Sequence, residues 1–410
     1  MLVKPRTPSG FPEYLPGEQL EFNRLLGIIR STYELHGFSP LDTPDIELSE
    51  VLLAKSGGDT AKQVYRFNKG DTDLSLRFDL TVPLARYVAE HQANLVFPFR
   101  RYHIGKVHRG ERAQAGRFRE FYQCDIDVIG SKSPIVDAEF PVIINQIFEK
   151  FDFGEFTMRV NNRKVLNGFF EEIDLADKSV EALRLVDKIE KLERADLIEE
   201  FKRLGLDDTQ IERLLQFVTI EGDNSDVLAQ LQSLGVKSAL FQEGLSELNV
   251  LVDALRAQRV PENRFRVDLK IARGLDYYTG TVYETVLNDL PGVGISIGLT
   301  RLFYKLREAG IIEVTRQSPA DIVVLPLGDD QIPYGLEVSD LLRQAGLPTL
   351  HYTEPGNVRN KFRYANRMGY KYALVLGENE AKDKTVTVRR MDTGDSTVVA
   401  MQDVVASLRD

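Results

Sequence analysis

The sequence predicts a chain of several domains: a portion of mixed strands and helices interrupted by a helical stretch, and an α/β portion toward the C-terminus. Three observations predict it. The 410 residues exceed one ordinary domain and suit two or three. Strand and helix patterns are mixed over 1–168 and again over 265–316, whereas 169–264 reads as charge-rich helix. Over 317–410 apolar strands alternate with helices, the pattern of a small α/β domain.

The elements follow in order. A helix is expected over 19–35 and an alternating strand over 119–129. Helix is expected over 178–204, with Gly205 and Gly235 placed as C-terminal stops. Strand signals return at 267–271 and 281–287. Leu299, Leu302, Phe303 and Leu306 then fall at helical spacing before Gly310. After Ser318-Pro319 the order is strand 322–325, helix 334–345, a strand near Leu350, helix 358–368 and strand 372–376. There is no internal repeat or low-complexity segment.

Composition narrows the function. Hydrophobic residues make up 43% and charged residues 28%, the mix of a soluble globular chain rather than a disordered one. No apolar run reaches the roughly 18 residues of a membrane helix, and residues 1–7 lack the apolar core of a signal peptide. Cys124 is the one cysteine, so no internal disulfide or cysteine-based zinc site is possible, which fits a reducing cytoplasm. The five histidines are not paired at metal-ligand spacing, and no metal centre is expected. A net charge of −10 argues against a general nucleic-acid coat. Local patches differ: Arg100, Arg101, Lys106, Arg109, Arg112, Arg117 and Arg119 stand against Glu111 alone, and Arg359, Lys361, Arg363, Arg367 and Lys371 against no acid. Either patch is a selective anion contact or ordinary solvated charge.

Residues 102–130 are the most informative. Two glycines and polar residues over 110–117 separate two strand-like runs, which reads as a hairpin with a long basic loop. Alternation then puts Arg119, Phe121, Gln123, Asp125 and Asp127 on one face and Tyr122, Cys124, Ile126 and Val128 on the other. On the preceding strand Val107, Arg109 and Glu111 share a face. Acids at every second position, behind an apolar face, call for a wet cavity or for cations. The expectation is a pocket with carboxylates at one end and guanidinium groups at the other; the plainer alternative is a polar face in open solvent. Further on, Arg273-Gly274-Leu275-Asp276-Tyr277-Tyr278 sets an arginine and two phenols around a turn, suited to a planar or anionic ligand. Leu299-Thr300-Arg301 opens a helix with an arginine in its first turn, a position that a bound phosphate would favour.

These stretches, in this order, resemble the class II aminoacyl-tRNA synthetases, and among them the histidyl-tRNA synthetases, over nearly the whole chain. Pro44 resembles the first class motif, the 104–130 hairpin the second, and Leu299-Thr300-Arg301 the end of the third. The Arg273–Tyr278 stretch resembles the histidine-specific signature, and Leu76-Arg77-Phe78-Asp79-Leu80-Thr81 the segment that helps hold the amino acid. The resemblance implies an α+β catalytic domain built on an antiparallel sheet (1–168 and 265–316), a helical insertion domain (169–264) and a C-terminal α/β anticodon-binding domain (317–410). It implies a cytoplasmic homodimer that joins histidine to ATP, with Mg²⁺ accompanying the nucleotide, and passes the histidyl group to histidine tRNA. By the same resemblance Arg109, Glu111 and Arg301 bind ATP, and Arg273 and Arg109 are catalytic. Asp79, Thr81, Gln123, Asp127, Arg273, Tyr277 and Tyr278 bind histidine; Arg112, Gln114, Arg117, Arg359, Lys361 and Arg363 are candidates for tRNA. Asp127 sits where some relatives have glutamate.

One segment departs from the family pattern. After Asp289 the family runs through a glycine-rich stretch ending in Gly-Gly-Arg-Tyr-Asp, whereas here Leu290-Pro291-Gly292-Val293-Gly294 follows at once. Roughly two strands and a turn are absent. Either this sequence omits a stretch of the native protein, or the deletion is native and leaves a chain that binds ATP or tRNA without efficient aminoacylation. The intact chemistry on both sides favours the first. The competing functional reading is a synthetase-like regulatory subunit of histidine biosynthesis. Such relatives generally lack the histidine signature and the anticodon-binding tail, and this chain has both.

Overall fold

A computed structural model of the chain describes residues 3–54, 59–112, 114–186, 188–189, 192–271, 280–287, 290–293 and 296–409. Two compact units emerge: one spans 1–12 and 27–311, the other 13–26 and 312–410.

In the first unit, helix α1 (Pro16–Leu35) supplies Ile29 and Tyr33 from its second half, both fully buried. Strands β1 (Ser39–Pro40), β2 (Ile46–Leu48), β3 (Arg66–Lys69) and β4 (Thr72–Leu76) precede helix α2 (Thr81–His91). The ten-residue strands β5 (Phe99–His108) and β6 (Glu120–Ile129) follow, then helix α3 (Pro134–Phe151), strand β7 (Phe156–Asn162) and helix α4 (Arg163–Glu172). The segment expected to be helical contains α5 (Ser179–Val186), α6 (Arg194–Arg203), α7 (Asp208–Val218), α8 (Asn224–Ser233) and α9 (Ala239–Ala257). Strands β8 (Phe265–Val267), β9 (Thr281–Leu287), β10 (Leu290–Val293) and β11 (Ile297–Gly298) lead to helix α10 (Leu299–Glu308).

The strands form three sheets, ordered β1-β5-β6-β11, β10-β9-β7-β8 and β2-β4-β3. Antiparallel pairing dominates, with β1–β5 and β7–β8 parallel. Helix α9 packs on α3 and α4. Two glycines allow that approach: a Cβ on Gly168 would collide with the Phe241 backbone, and one on Gly244 would lie 2.7 Å from the Val165 nitrogen. The strand expected over 267–271 ends early, at Val267. Asp268 takes over the backbone there, its carboxylate accepting from the Lys270 nitrogen at 3.1 Å, while the Asn161 amide holds the Ile271 carbonyl at 2.8 Å. The helical run expected over 178–204 is likewise two helices, because Val186 ends α5 and α6 starts at Arg194.

In the second unit a five-stranded sheet runs β13-β12-β14-β15-β16, built from β12 (Ile322–Pro326), β13 (Thr349–His351), β14 (Tyr372–Leu376), β15 (Thr385–Arg390) and β16 (Ser396–Ala400). The first three strands are mutually parallel and carry helices α11 (Ile332–Gln344) and α12 (Val358–Met368). Alternation along β12 sends Ile322 and Val324 into one core layer and Val323 and Leu325 into the other.

Candidate active site

β5 and β6 pair in unbroken antiparallel register from Phe99↔Ile129 to His108↔Glu120, so Arg101 faces Asp127 and His103 faces Asp125. Cys124 and Ile126 turn into the core, where the Tyr33 hydroxyl donates to the Cys124 carbonyl at 2.9 Å. The other face carries Gln123, Asp125 and Asp127, as the alternation predicts.

That face is buried rather than open. Arg101 is 0% exposed; its Nη2 meets Asp127 Oδ2 at 2.6 Å and donates to the Leu80 carbonyl at 3.4 Å. Among the described residues its Nε and Nη1 have no partner, and neither does Gln123 Oε1. Gln123 Nε2 donates to Ser296 Oγ at 2.6 Å, and the same hydroxyl donates to Asp125. Asp79 closes the cluster: its Oδ1 accepts from the Thr81 and Val82 nitrogens at 3.0 and 2.9 Å and caps α2. Three carboxylates therefore surround one guanidinium. Burial pushes the Asp125 carboxyl up to about 7, with Arg101 opposing and Asp127 reinforcing the shift. Asp127 moves up for the same reason, held back by Arg101. His103 moves down to about 4, through burial and the adjacent Arg77 and Arg101 charges, and is neutral at pH 7. The unpartnered Gln123 oxygen, beside three carboxyl groups and a single guanidinium, describes a site for a small polar cation, while the two free Arg101 donors call for an acceptor.

Toward the loop end, Arg109 lies between aromatic faces, its guanidinium carbon 4.5 Å from the Phe78 ring centre and 5.1 Å from that of Phe121. Its Nε donates to the Phe78 carbonyl at 3.2 Å. Glu111 and Arg117 pair at 3.4 Å, and the Arg119 Nε donates to the Glu111 carbonyl at 2.9 Å. Arg112, Gln114 and Arg117 are exposed, with Gln114 and Arg117 bonded backbone to backbone across the loop. Helix α10 is tied to the hairpin by the Tyr122 nitrogen donating to Thr300 Oγ1 at 2.9 Å, and by the Phe118 and Tyr304 rings at 5.7 Å. Arg301, in its first turn, is exposed and without a partner among the described residues. The hairpin and the turn before α2 thus bring Asp79 and Asp127 together, with Thr81, Gln123 and Arg109 on the same elements, while Glu111 lies on the hairpin loop and Arg301 follows Thr300 at the start of α10.

Arg273, Tyr277 and Tyr278 lie outside the described residues. Arg77, from the same stretch as Asp79, turns away from the cluster: it is buried and donates to the Thr43 and Lys106 carbonyls, both at 2.6 Å. In the second unit Arg359, Arg363 and Arg367 form an exposed stripe at four-residue spacing on α12, none ion-paired among the described residues. Lys361 departs from that expectation. It is buried on the opposite face, where its Nζ donates to the Pro326 carbonyl, so it anchors the helix instead of facing solvent. Sequence reading also missed Arg101 and Ser296 as site members and counted Arg101 as patch charge. The available signal was register: once the hairpin loop is placed, Arg101 must fall opposite Asp127.

Among the described residues, no helix is long and apolar enough to cross a membrane, and no group of three His, Cys, Asp or Glu side chains is arranged to hold a metal ion. A family model described as histidyl-tRNA synthetase matches residues 10–295, and one described as an anticodon-binding domain matches 321–410. A relative from Clostridium tetani named histidine–tRNA ligase is 48% identical, covering 100% of this chain and 99% of its own. That alignment runs over 435 positions against 410 residues here, so the relative has residues without a counterpart in this chain. The crystal structure of histidyl-tRNA synthetase from Nostoc sp. superposes with a TM-score of 0.92 at 38% identity, over 100% of this chain and 99% of that one. A structure from Bacillus halodurans titled as an ATP phosphoribosyltransferase regulatory subunit/histidyl-tRNA synthetase shares the fold, with a TM-score of 0.72 at 19% identity over 91% of this chain and 99% of that one. On the matched families, the full-length identity and the site geometry together, this chain belongs to the histidyl-tRNA synthetase family.

Proposed function

We propose that the chain is a cytoplasmic histidine–tRNA ligase, acting as a homodimer, which forms histidyl-adenylate from histidine and ATP and transfers the histidyl group to histidine tRNA. The observation that carries this is the buried acidic face of β6 beside the ring-stacked Arg109. An amino acid's ammonium and its activating phosphate need those two environments side by side. In this reading Asp79, Thr81, Gln123 and Asp127 receive the α-amino group, and Tyr277 and Tyr278 the imidazole. The histidine carboxylate attacks the α-phosphorus in line as the bond to the β-phosphate breaks and pyrophosphate leaves, so positioning and charge neutralisation do most of the work. Arg109 and Arg273 hold the α-phosphoryl oxygens as charge builds there, Glu111 places the adenine, and Arg301 lies along the phosphates. Mg²⁺ would accompany ATP and supply positive charge to its phosphates.

Residues 1–168 and 265–316 would form the catalytic domain, 169–264 its insertion and 317–410 the anticodon-binding domain. In this reading exposed Arg112, Gln114 and Arg117 contact the acceptor end of tRNA, and exposed Arg359 and Arg363 the anticodon side. Exposed Ile46 and Leu48, beside Pro44, support the homodimer.

The test is pyrophosphate exchange into ATP with each of the twenty amino acids. Exchange with histidine alone is expected. No exchange with any amino acid would sink the ligase reading and favour a regulatory binding protein.

A further inference from the structure

We propose that Arg101 is a positioning residue of the amino-acid subsite: it fixes the Asp127 carboxylate and leaves the buried cluster one cation short, a charge that the substrate's α-ammonium supplies. This rests on the reading of the β6 face as the amino-acid subsite.

A guanidinium kept only for structure would be expected to saturate its donors against one acid and neighbouring carbonyls. Arg101 does not. It is wholly buried, engages Asp127 Oδ2 at 2.6 Å and Leu80 O at 3.4 Å, and leaves Nε and Nη1 unpartnered among the described residues. The groups facing the cluster are Arg101 and His103 from β5, Gln123, Asp125 and Asp127 from β6, Asp79 from the turn before α2, and Ser296 ahead of β11. The Tyr33 hydroxyl of α1 lies behind, on the Cys124 carbonyl. His103 is neutral and Tyr33 is uncharged. Three carboxyl groups, Asp79, Asp125 and Asp127, face the one guanidinium; with Asp125, pushed up to about 7, holding a proton, the cluster keeps one acidic group more than Arg101 balances, which an ammonium complements. The unpartnered Gln123 Oε1 is an acceptor for the same group. Arg101 thus acts through Asp127 rather than on the substrate. It keeps that carboxylate ionised and aimed, and sets how many positive charges the pocket still needs.

The experiment uses the full chain carrying Arg101→Lys or Arg101→Met, assayed by pyrophosphate exchange and by binding of two histidine analogues. Histidinol keeps the amino group and lacks the carboxylate; imidazolepropionate keeps the carboxylate and lacks the amino group. The expected result for Arg101→Met is a histidine KM raised about tenfold or more, with the ATP KM within about twofold. Histidinol affinity should fall in parallel and imidazolepropionate affinity should hold. Arg101→Lys keeps a charge in place and should recover part of the loss, which also decides the matter if the methionine variant does not fold. Equal weakening of both analogues, or a fall in kcat with the histidine KM unchanged, would overturn the proposal. Absence of exchange in the unmodified chain would count against the ligase reading instead, and histidinol binding would still test Arg101.

Discussion

At the scale of single residues, burial decides what each polar group does. Asp125 shows the sign most clearly. Its carboxyl, pushed up to about 7 in the folded chain, holds a proton between pH 4 and 7 that the unfolded chain has already lost. Its contribution to stability is therefore greatest near pH 4 and declines as pH rises through 7. Asp125→Asn, which cannot ionise, should flatten that decline, so urea denaturation at pH 5 and pH 8 should differ less than for the unmodified chain by ~2 kcal/mol or more. An unchanged pH profile would show that Asp125 is solvated. Arg77 makes a separate case. It is clasped by Thr43 and Lys106 carbonyls and by Asp45 at 2.6 Å, and Gly105 leaves room for it, since a Cβ there would lie 2.5 Å from its Nη2. Arg77→Met should cost ~3 kcal/mol or more and lower the melting temperature by several degrees, with little change in the histidine KM of the folded fraction. A large KM change with intact stability would move Arg77 into the site.

At the scale of elements, α12 offers the sharpest prediction. Replacing Arg359 and Arg363 with alanine should weaken tRNA charging several-fold, make it less salt-sensitive, and leave pyrophosphate exchange intact. Equal loss in both assays would refute a division of labour between hairpin and helix. Asp207 caps α7 in a box with Gln210, at 2.8 and 3.0 Å, and Asp207→Ala should cost ~1 kcal/mol in thermal unfolding. Elements with strong periodicity were legible in the sequence: α12 and β14 lie where the pattern puts them, and Gly205 and Gly235, expected as helix stops, have φ of 88° and 65°. What misled was competition from side chains. Asp268 and Asn161 capture backbone that propensity would have given to a longer strand. Lys361 was misjudged because side-chain direction on a helix separates positions 359, 361 and 363, although a basic count treats them alike. Beyond β9, Leu290 of β10 lies opposite Leu287, and β11 belongs to a different sheet.

At the scale of the whole molecule, composition set the class and the motifs set the family. The charge balance of the pocket needed three-dimensional register, because it arises from residues as far apart as Asp79, Arg101, Asp127 and Ser296. The division into two units was harder to read, since helix α1 looks like one element of the N-terminal part, yet residues 13–26 group with 312–410. The Gly17 nitrogen donates to Gln317 Oε1 at 3.2 Å across a separation of 300 residues. During synthesis the first strip of the second unit therefore leaves the ribosome long before the rest of that unit exists. At ~5–20 residues per second the wait is roughly 15–60 s. Through that interval the apolar side chains of Phe22 and Leu25, fully buried at the end, have no permanent home. Where one short segment lies in the gene thus sets how long that part of the second unit waits for the rest of it.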